Sequence, residues 1–176
     1  STFDFHVNNK PVYDEKLYAP TELNKIRGKV LRGEVHDDNT WAFGGVSSHA
    51  GLFGSIDDVA AYGLTLRSQL MGIANYSIRQ KTAQLFSQRA IPESQGDWAL
   101  GYMIPSAVSP SCGNYFSKES IGHTGFTGTS CWYDTQSDLL VTILSNRVNY
   151  GSENKAYIQL RPQIHNWLYE GIRKIT

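Results

Sequence analysis

The chain has 176 residues, with 16 basic and 16 acidic side chains, so its formal net charge is zero. No basic block or stripe occurs, which argues against nucleic acid as a partner, and the apolar runs are too short to span a membrane. The length predicts a single domain, 1–176, and the 40% of hydrophobic residues is ordinary for a globular protein.

Residues 1–54 are predicted to form a connecting arm followed by a glycine-rich loop. Asn8-Asn9-Lys10-Pro11 indicates a turn in the arm, and residues 29–35 favour a short extended segment. The stretch 37–54 has several glycines and few strong helix formers, which predicts a structured loop. Gly44 and Gly45 are expected to adopt backbone conformations that a side chain would forbid.

Residues 55–90 are predicted to be helical. Ser55-Ile56-Asp57-Asp58 is typical of a helix start with a capping box, and the helix is expected to run to about Met71 and end at Gly72. Its predicted buried face consists of Val59, Tyr62, Leu66 and Leu70. A second helix is predicted from Ser77 to about Gln88. Its inward residues are expected to be Ile78, Ala83, Leu85 and Phe86.

Antiparallel strands are predicted over residues 97–147. The first, 98–104, is stopped by Pro105 and followed by a loop at 105–118. The next strand is expected over 121–133 and is joined by a turn at 134–138 to a strand at 139–146. Residues 139–144 are apolar on both faces apart from Thr142, which predicts a central strand.

A C-terminal helix is predicted at about 153–173, with Pro162 kinking it or marking a new start. Its apolar face is expected to contain Tyr157, Leu160, Ile164, Trp167, Leu168 and Ile172. Cys112 and Cys131 are predicted to be free thiols. No signal peptide pattern is visible, and periplasmic and cytoplasmic locations are both compatible with the sequence.

The triplet His123-Thr124-Gly125 is the part of the chain that most resembles catalytic chemistry. Gly125 leaves a strand edge without a side chain, so a substrate carbonyl can approach the backbone closely. Thr124 offers a hydroxyl group, and the amide of Phe126 can point at a developing oxyanion. The last motif of the serine β-lactamases and penicillin-binding proteins is a Lys-Thr-Gly, so His123 stands where a lysine is expected.

Two upstream stretches extend this likeness: Gly33-Glu34-Val35-His36-Asp37 and Gly44-Gly45-Val46-Ser47-Ser48-His49-Ala50-Gly51-Leu52-Phe53. With the triplet, they make the chain closely resemble the β-lactamase-like serine hydrolases, in the esterase and class C branch, from roughly Pro20 to Arg161. The resemblance implies an α+β fold, the C-terminal part of the β-lactamase/transpeptidase-like fold. It implies acyl transfer on an ester, β-lactam or peptide-like carbonyl, with no cofactor and no metal.

The resemblance also assigns roles to residues. His123, Thr124, Gly125 and the Phe126 amide are the expected catalytic groups, and Gly44, Gly45 and Thr127 are the expected substrate-binding residues. A histidine, unlike a lysine, is largely neutral at pH 7 and is a weaker anchor for a carboxylate. This departure from the family pattern disfavours β-lactam binding and favours an esterase or peptidase-like role.

The family's nucleophile, in a Ser-x-x-Lys upstream of these motifs, is not found here. Ser152-Glu153-Asn154-Lys155 spells the pattern but follows the triplet, so Ser152 is expected to cap the last helix instead. The chain is therefore interpreted as a C-terminal fragment that is inactive alone. Its expected partners are a small-molecule or peptide-like substrate and the N-terminal part of the same protein, and a bare sheet edge invites homodimerisation.

Alternatives remain open. One is a complete hydrolase that uses Ser47, Ser48 or Ser152 as nucleophile, and another is a non-catalytic ligand-binding or interaction module. His36 and His49 are expected to fasten the loop by hydrogen bonds to backbone, with active-site lining and metal binding as the alternatives. Asn146-Arg147 resembles a family pair and is expected to be structural.

Overall fold

The structure, a computed structural model, describes residues 3–73 and 78–175. Two short antiparallel pairs lie in the N-terminal part: β1 (Asp4–Phe5) pairs with β4 (Leu52–Phe53), and β2 (Leu23–Asn24) pairs with β3 (Lys29–Val30). A short helix, α1 (Asp38–Ala42), lies between β3 and β4 in sequence. The β1–β4 pair fixes both ends of the predicted arm and loop against each other.

The main sheet has three antiparallel strands in the order β5 (Ile121–Thr124), β6 (Ser130–Asp134) and β7 (Leu139–Ile143). The single strand predicted over 121–133 is wrong, because these residues form a hairpin. Its turn is closed by the Gly125 amide, which donates to the Thr129 carbonyl at 2.8 Å. Because the hairpin puts β6 in the middle, β7 is an edge strand among those the structure describes, and its predicted central place is also wrong.

The strand predicted over 98–104 is a tight turn that forms isolated bridges. Trp98 pairs with Met103, and Met103 pairs in turn with Gly122 of β5. Gly101 allows the chain to reverse because its φ is +89°, in the region that favours glycine. The turn therefore lies along the free edge of β5 and covers part of it.

The sheet packs between two helices. On one face Trp132 and Val141 form a core with Cys112, Phe116 and Tyr169, the last from α4 (Ala156–Arg173). On the other face Ile121 packs with Leu66 of α2 (Ile56–Met71) and with Ala99 and Ile104. Because side chains alternate along a strand, His123 shares the α2 face with Ile121.

The prediction for α2 is confirmed. The Ser55 hydroxyl accepts from the Asp58 amide, the Asp58 carboxylate accepts from the Ser55 amide, and Gly72 ends the helix with a φ of +67°. Leu66 is buried as predicted, whereas Tyr62 is half exposed. These features depend on neighbours within one or two turns, which is why the sequence reveals them.

The third helix, α3, spans Gln80–Ser87, within the range predicted from Ser77 to Gln88. Ser77 itself lies outside the described residues. Ala83 is buried as predicted, but Ile78, Leu85 and Phe86 are exposed, so the predicted inward face is largely wrong. The contacts of α3 are mainly with α2, and the Leu100 amide also donates to the Phe86 carbonyl at 3.1 Å.

The C-terminal helix is confirmed, but its predicted buried face is wrong. Arg161, His165, Asn166 and Tyr169 are buried, whereas most of the predicted apolar face is exposed: Leu160, Trp167, Leu168 and Ile172. The helix continues through Pro162, so no new start occurs there. Lys155 is the N-cap residue, which corrects the expectation for Ser152.

The C-terminal part of the loop at 105–118 is held by two side chains from other elements. The Asn166 side-chain oxygen accepts from the Asn114 amide at 2.7 Å, and Asp134 accepts from both the amide and the hydroxyl of Ser117. Cys112 and Cys131 are both free, as predicted. No helix among the described residues is long and apolar enough to cross a membrane.

Candidate active site

The turn between β5 and β6, residues 125–129, is named the motif turn here. The Gly128 amide donates to the Gly125 carbonyl at 3.0 Å, and the Arg147 amide donates to the Thr127 carbonyl at 2.9 Å. Gly128 has a φ of +108°, and a Cβ there would collide with the Ser145 hydroxyl. The turn is therefore fixed by backbone hydrogen bonds and by the absence of a side chain at Gly128.

The direction of the Phe126 N–H follows from the geometry of the peptide unit. The Gly125 carbonyl points into the turn, where it accepts from Gly128. The peptide bond is trans, so the N–H of Phe126 points the opposite way, out of the turn. Within residues 3–73 and 78–175 no protein acceptor receives this N–H. Phe126 lies in the turn and not within a strand, which corrects its predicted location, and the residue is 59% exposed.

Arg147 holds the other side of the motif turn. Its Nε donates to the Phe126 carbonyl at 3.0 Å, and its Nη1 donates to the carbonyls of Ser152 and Asn154 at 3.1 Å each. The guanidinium carbon lies 5.1 Å from the centroid of the Phe126 ring. Arg147 therefore has a structural role, as the sequence predicts, although its contact with the motif turn was not foreseen.

His36, which directly precedes the glycine-rich loop, reaches the motif turn. Its ring centroid is 5.4 Å from that of Phe126, and its Nε2 lies 3.3 Å from Oε1 of Glu22. The predicted backbone bond is not found for this side chain, since its partner is a carboxylate. The side chain that fastens the backbone here is Arg27, which donates to the carbonyls of Val35 at 2.7 Å and of His36 at 2.8 Å.

Glu22 joins His36 to the segment that follows Arg147. Its Oε2 accepts from the Ser152 amide at 2.7 Å. Desolvation raises the pKa of this carboxyl, but the hydrogen bonds from Ser152 and the charges of His36 and Arg147 outweigh it, so the pKa is lowered from its usual value. Sequence reasoning missed Glu22, and a contact between residues 130 positions apart leaves no local signal.

His49 fastens the glycine-rich loop through side chains. Its Nδ1 lies 2.6 Å from the Ser47 hydroxyl, and its Nε2 lies 3.2 Å from Oδ1 of Asp37. Asp37 also accepts from the Thr40 amide at 2.7 Å, which caps α1; this bond is the main cause of its lowered pKa. The predicted fastening role fits this arrangement, although the partners are side chains. In the described parts of the chain, no group of three or more His, Cys, Asp and Glu could hold a metal ion.

Gly44 and Gly45 lie against the N-terminal segment and not against the motif turn. Their φ angles are +81° and +89°, as expected for glycines in such a loop. A Cβ on Gly45 would collide with the His6 carbonyl oxygen, and its amide donates to the Thr40 carbonyl at 2.9 Å. Their substrate-binding role remains a prediction, and the contacts seen here account for the glycines by packing alone.

His123 and Thr124 project from opposite faces of β5. His123 is exposed, its Nδ1 lies 2.9 Å from the Thr124 carbonyl, and its ring is 5.7 Å from that of Trp98. It lines a cavity of about 100 Å³ together with Tyr62 and Cys131. Burial raises the pKa of the Cys131 thiol, so this cysteine is a poor nucleophile at neutral pH. The Thr124 hydroxyl lies 3.7 Å from the Met103 sulfur.

The chain is similar to a known protein family and to named relatives. A family model described as Beta-lactamase matches residues 4–163. A protein of Salmonella agona (strain SL483), named provisionally as a D-alanyl-D-alanine carboxypeptidase, is 34% identical over 128 residues. The match covers 69% of this chain and 28% of that relative. A relative with the same name from Salmonella gallinarum is 35% identical, with the same coverage. The chain therefore spans less than a third of the length of these curated relatives.

Two solved structures share the fold. One is a β-lactamase from Mycobacterium bovis, with a TM-score of 0.57 and 20% identity, covering 69% of this chain and 46% of the other. The second is EstCE1, described as a hydrolase with promiscuous acyltransferase activity, with a TM-score of 0.52 and 19% identity. That match covers 88% of this chain and 40% of the other. At these identities the likeness concerns the α+β fold alone.

Proposed function

The chain belongs to the beta-lactamase family, and we propose that it supplies the oxyanion-binding part of a serine acyl-transfer site. The attacking hydroxyl comes from polypeptide outside this chain. One observation carries the proposal: the Phe126 N–H points out of a rigid turn and has no protein acceptor among the described residues. A preorganised backbone donor of this kind stabilises negative charge that develops on a carbonyl oxygen.

The proposed chemistry needs little from the side chains of the turn. A serine hydroxyl attacks the substrate carbonyl, and the oxygen of that carbonyl becomes an oxyanion that the Phe126 amide binds. Gly125 has no side chain, so the substrate can approach the backbone. Arg147 and the Gly125–Gly128 hydrogen bond are positioning elements, because they fix the peptide units on either side of Phe126.

We propose a peptide-like or ester carbonyl as the substrate. Relatives that are 34–35% identical are named for D-alanyl-D-alanine carboxypeptidase activity, which is cleavage of a peptide-like bond. His123 occupies the position where a lysine would anchor a β-lactam carboxylate, and an exposed histidine lacks that permanent charge. The names of the relatives favour a peptide-like bond, and the replacement of a lysine by His123 favours an ester without a carboxylate over a β-lactam.

The exposed surface supports the proposal that further polypeptide packs on this chain. The chain exposes 10,896 Å², whereas a compact monomer of its length exposes about 8,600 Å². The excess includes the apolar sides of α3 and α4, where Leu85, Phe86, Trp167 and Leu168 are all at least 40% exposed. Apolar patches of this kind mark contact surfaces. We therefore propose that the isolated chain lacks activity.

One observation favours a second candidate function, hydrolysis by this chain alone. Ser47, His49 and Asp37 form a hydrogen-bonded series in the order of a Ser-His-Asp triad, with steps of 2.6 and 3.2 Å. Against it, Asp37 is already engaged as the helix cap of α1. The neighbouring amides of Gly44 and Gly45 donate to carbonyls within the loop, so neither is available as an oxyanion donor.

Covalent labelling separates these functions. The 176-residue chain is treated with a fluorophosphonate and with a fluorescent penicillin, and adducts are located by mass spectrometry. We expect no adduct on this chain, and an adduct on a serine outside it in a polypeptide of the relatives' full length. An adduct at Ser47 that Ser47→Ala abolishes would establish the second function. Absence of labelling and turnover in the longer polypeptide would instead support a non-catalytic binding module.

A further inference from the structure

The face of α4 that packs on the sheet is polar, which is unusual for a buried helix face. Tyr157, Arg161 and His165 follow one another at four-residue spacing and so lie along one stripe of the helix. Arg161 is only 7% exposed, and His165 is fully buried. A guanidinium removed from water to this extent needs compensation by an opposite charge or by acceptors.

The described residues do not supply a carboxylate to compensate this charge. Across residues 3–73 and 78–175, no carboxylate forms an ion pair with Arg161. Four buried polar atoms here also have no hydrogen-bond partner in the same residues: Ser145 Oγ, Tyr157 OH, Arg161 Nε and His165 Nδ1. An unsatisfied buried donor costs about 1–3 kcal/mol, and more when it is charged.

These four side chains are named the donor cluster. Ser145 and Tyr157 meet behind the motif turn, because a Cβ on Gly128 would overlap the Ser145 hydroxyl and lie 3.2 Å from the Tyr157 ring. Arg161 and His165 follow Tyr157 on the same stripe of α4, and Arg161 interacts electrostatically with both of these neighbours. The Nε2 of His165 lies 3.1 Å from the Ser130 hydroxyl, which occupies that nitrogen. Its Nδ1 is therefore the nitrogen left for the cluster. All four atoms can donate a hydrogen bond, and at least one carries a positive charge.

We propose that the donor cluster binds a small monovalent anion, such as chloride or formate. A set of donors around a guanidinium excludes a metal ion, and a water molecule would leave the charge of Arg161 uncompensated. A divalent oxyanion would overcompensate a single cation. Arg147, the other charged group beside the cluster, already acts on the nearby carboxylate of Glu22, so Arg161 is the cation without a counter-charge among the described residues.

The state of His165 supports a single positive charge in the cluster. Burial, followed by the charge of Arg161, lowers the pKa of His165 to about 4, so the ring is neutral at pH 7. Burial likewise lowers the pKa of Arg161, although a guanidinium remains protonated. One bound anion then balances one cation. It would also brace the motif turn through the contacts that Ser145 and Tyr157 make at Gly128.

The test is thermal unfolding of the 176-residue chain at constant ionic strength, with gluconate replaced stepwise by chloride, formate or sulfate. We expect the Tm to rise saturably with chloride and formate but not with sulfate. Arg161→Met should abolish the response. Tyr157→Phe, which removes one donor and keeps the ring, should weaken the apparent Kd by about two- to tenfold. Arg173→Met, at the exposed end of the same helix, is the matched control and should respond like the original chain.

Two results would overturn the proposal. One is an equal response of the original chain and both cluster variants, which would indicate a general salt effect. The other is the absence of any saturable response, which would indicate that Arg161 pairs with a carboxylate from another polypeptide segment. Crystals soaked in bromide give an independent measurement, since the proposal predicts an anomalous peak within hydrogen-bonding distance of Arg161 and none at Arg173.

Discussion

Arg147 binds Phe126 in two ways at once: its Nε donates to the Phe126 carbonyl at 3.0 Å, and its guanidinium lies 5.1 Å from the centre of the ring. The same guanidinium donates to the carbonyls of Ser152 and Asn154. The motif turn is thus tied to the segment that leads into α4. The direction of the Phe126 N–H depends on this tie and on the Gly125–Gly128 hydrogen bond.

Replacing Arg147 is expected to loosen the motif turn. Arg147→Met removes three hydrogen bonds to carbonyls, so we expect the free energy of unfolding to fall by about 1–3 kcal/mol. Amide hydrogen exchange at Gly125 and Gly128, whose amides donate within the motif turn, should accelerate by more than the global loss of stability explains. Both quantities are measurable by denaturant titration and by exchange followed with NMR.

Arg173→Met is the matched control for that substitution. Arg173 also lies 5.1 Å from an aromatic ring, that of Tyr169, but at the exposed end of α4. Loss of this contact alone should cost less than about 1 kcal/mol. Equal losses for the two variants would show that the hydrogen bonds of Arg147 add nothing, and the positioning role would be rejected.

Glycine substitutions test the backbone of the motif turn. A Cβ at Gly128 would collide with Ser145 at a φ of +108°, and a Cβ at Gly125 would collide with the Thr129 hydroxyl. Gly128→Ala should therefore cost at least about 1–3 kcal/mol of stability. Gly171→Ala, in the exposed part of α4 with no atom near its Cβ position, should instead stabilise by up to about 1 kcal/mol. A neutral Gly128→Ala would show that the turn has another conformation.

The lowered pKa of Asp134 predicts how the free energy of unfolding depends on pH in acid. Asp134 is buried and accepts hydrogen bonds from Ser117, Gln136 and Ser137. Desolvation raises the pKa of this carboxyl, but the hydrogen bonds outweigh it, so the pKa in the folded state is lowered. Its contribution is therefore present above the unfolded pKa of about 4 and is lost as the pH falls through the folded value.

Asp134→Ala should cost about 2–4 kcal/mol near pH 7, because several donors lose their acceptor. Its stability should also change less between pH 4 and pH 2 than that of the original chain. Urea titrations over this range measure both effects, and Asp57→Asn in the exposed first turn of α2 is the control. Parallel pH profiles of stability for the original chain and for Asp134→Ala would contradict the assignment of this acid dependence to Asp134.

The lowered pKa of His165 predicts a second pH dependence of the free energy of unfolding, in a different pH range. Burial, then the charge of Arg161, lowers the pKa of His165 from 6.5 to about 4. Between these values the unfolded chain binds a proton that the folded chain does not, so stability falls as the pH drops from 6.5 to 4. The loss is on the order of 3 kcal/mol. His165→Gln should flatten this window, whereas His49→Gln on the exposed loop should leave it unchanged. Equal slopes in all three chains would refute the assignment.

The sequence predicts what depends on near neighbours. The capping box of Ser55 and Asp58 and the helix stop at Gly72 are local features, so α2 is predicted nearly to the residue. The hairpin of β5 and β6 is missed because the strand formers on both sides of Gly125 mask the short turn. The alternation of hydrophobic residues along the sequence cannot distinguish one long strand from two strands joined by a turn.

The prediction of the buried face of α4 fails for a different reason. Periodicity assigns the apolar side inward, but Arg161 and His165 lie against the sheet and Trp167 faces outward. The apolar side of α4 is exposed in this chain, so hydrophobic periodicity does not identify the face that packs on the sheet. The links from Glu22 to Ser152 and from His36 to Phe126 likewise join distant segments. The catalytic role of the triplet at His123 stays a prediction, and folding alone brings Arg147, Glu22 and His36 to the turn that follows it.

The most direct test of the central proposal removes one hydrogen atom from the motif turn. Phe126→Pro eliminates the backbone N–H, whereas Phe126→Ala keeps it and removes only the ring. In a polypeptide of the relatives' full length, acylation by a D-alanyl peptide ester should fall about 10²–10³-fold for the proline variant and far less for the alanine variant. Melting temperatures of both variants check that the fold survives. Equal acylation rates in two folded variants would contradict the role of the Phe126 amide.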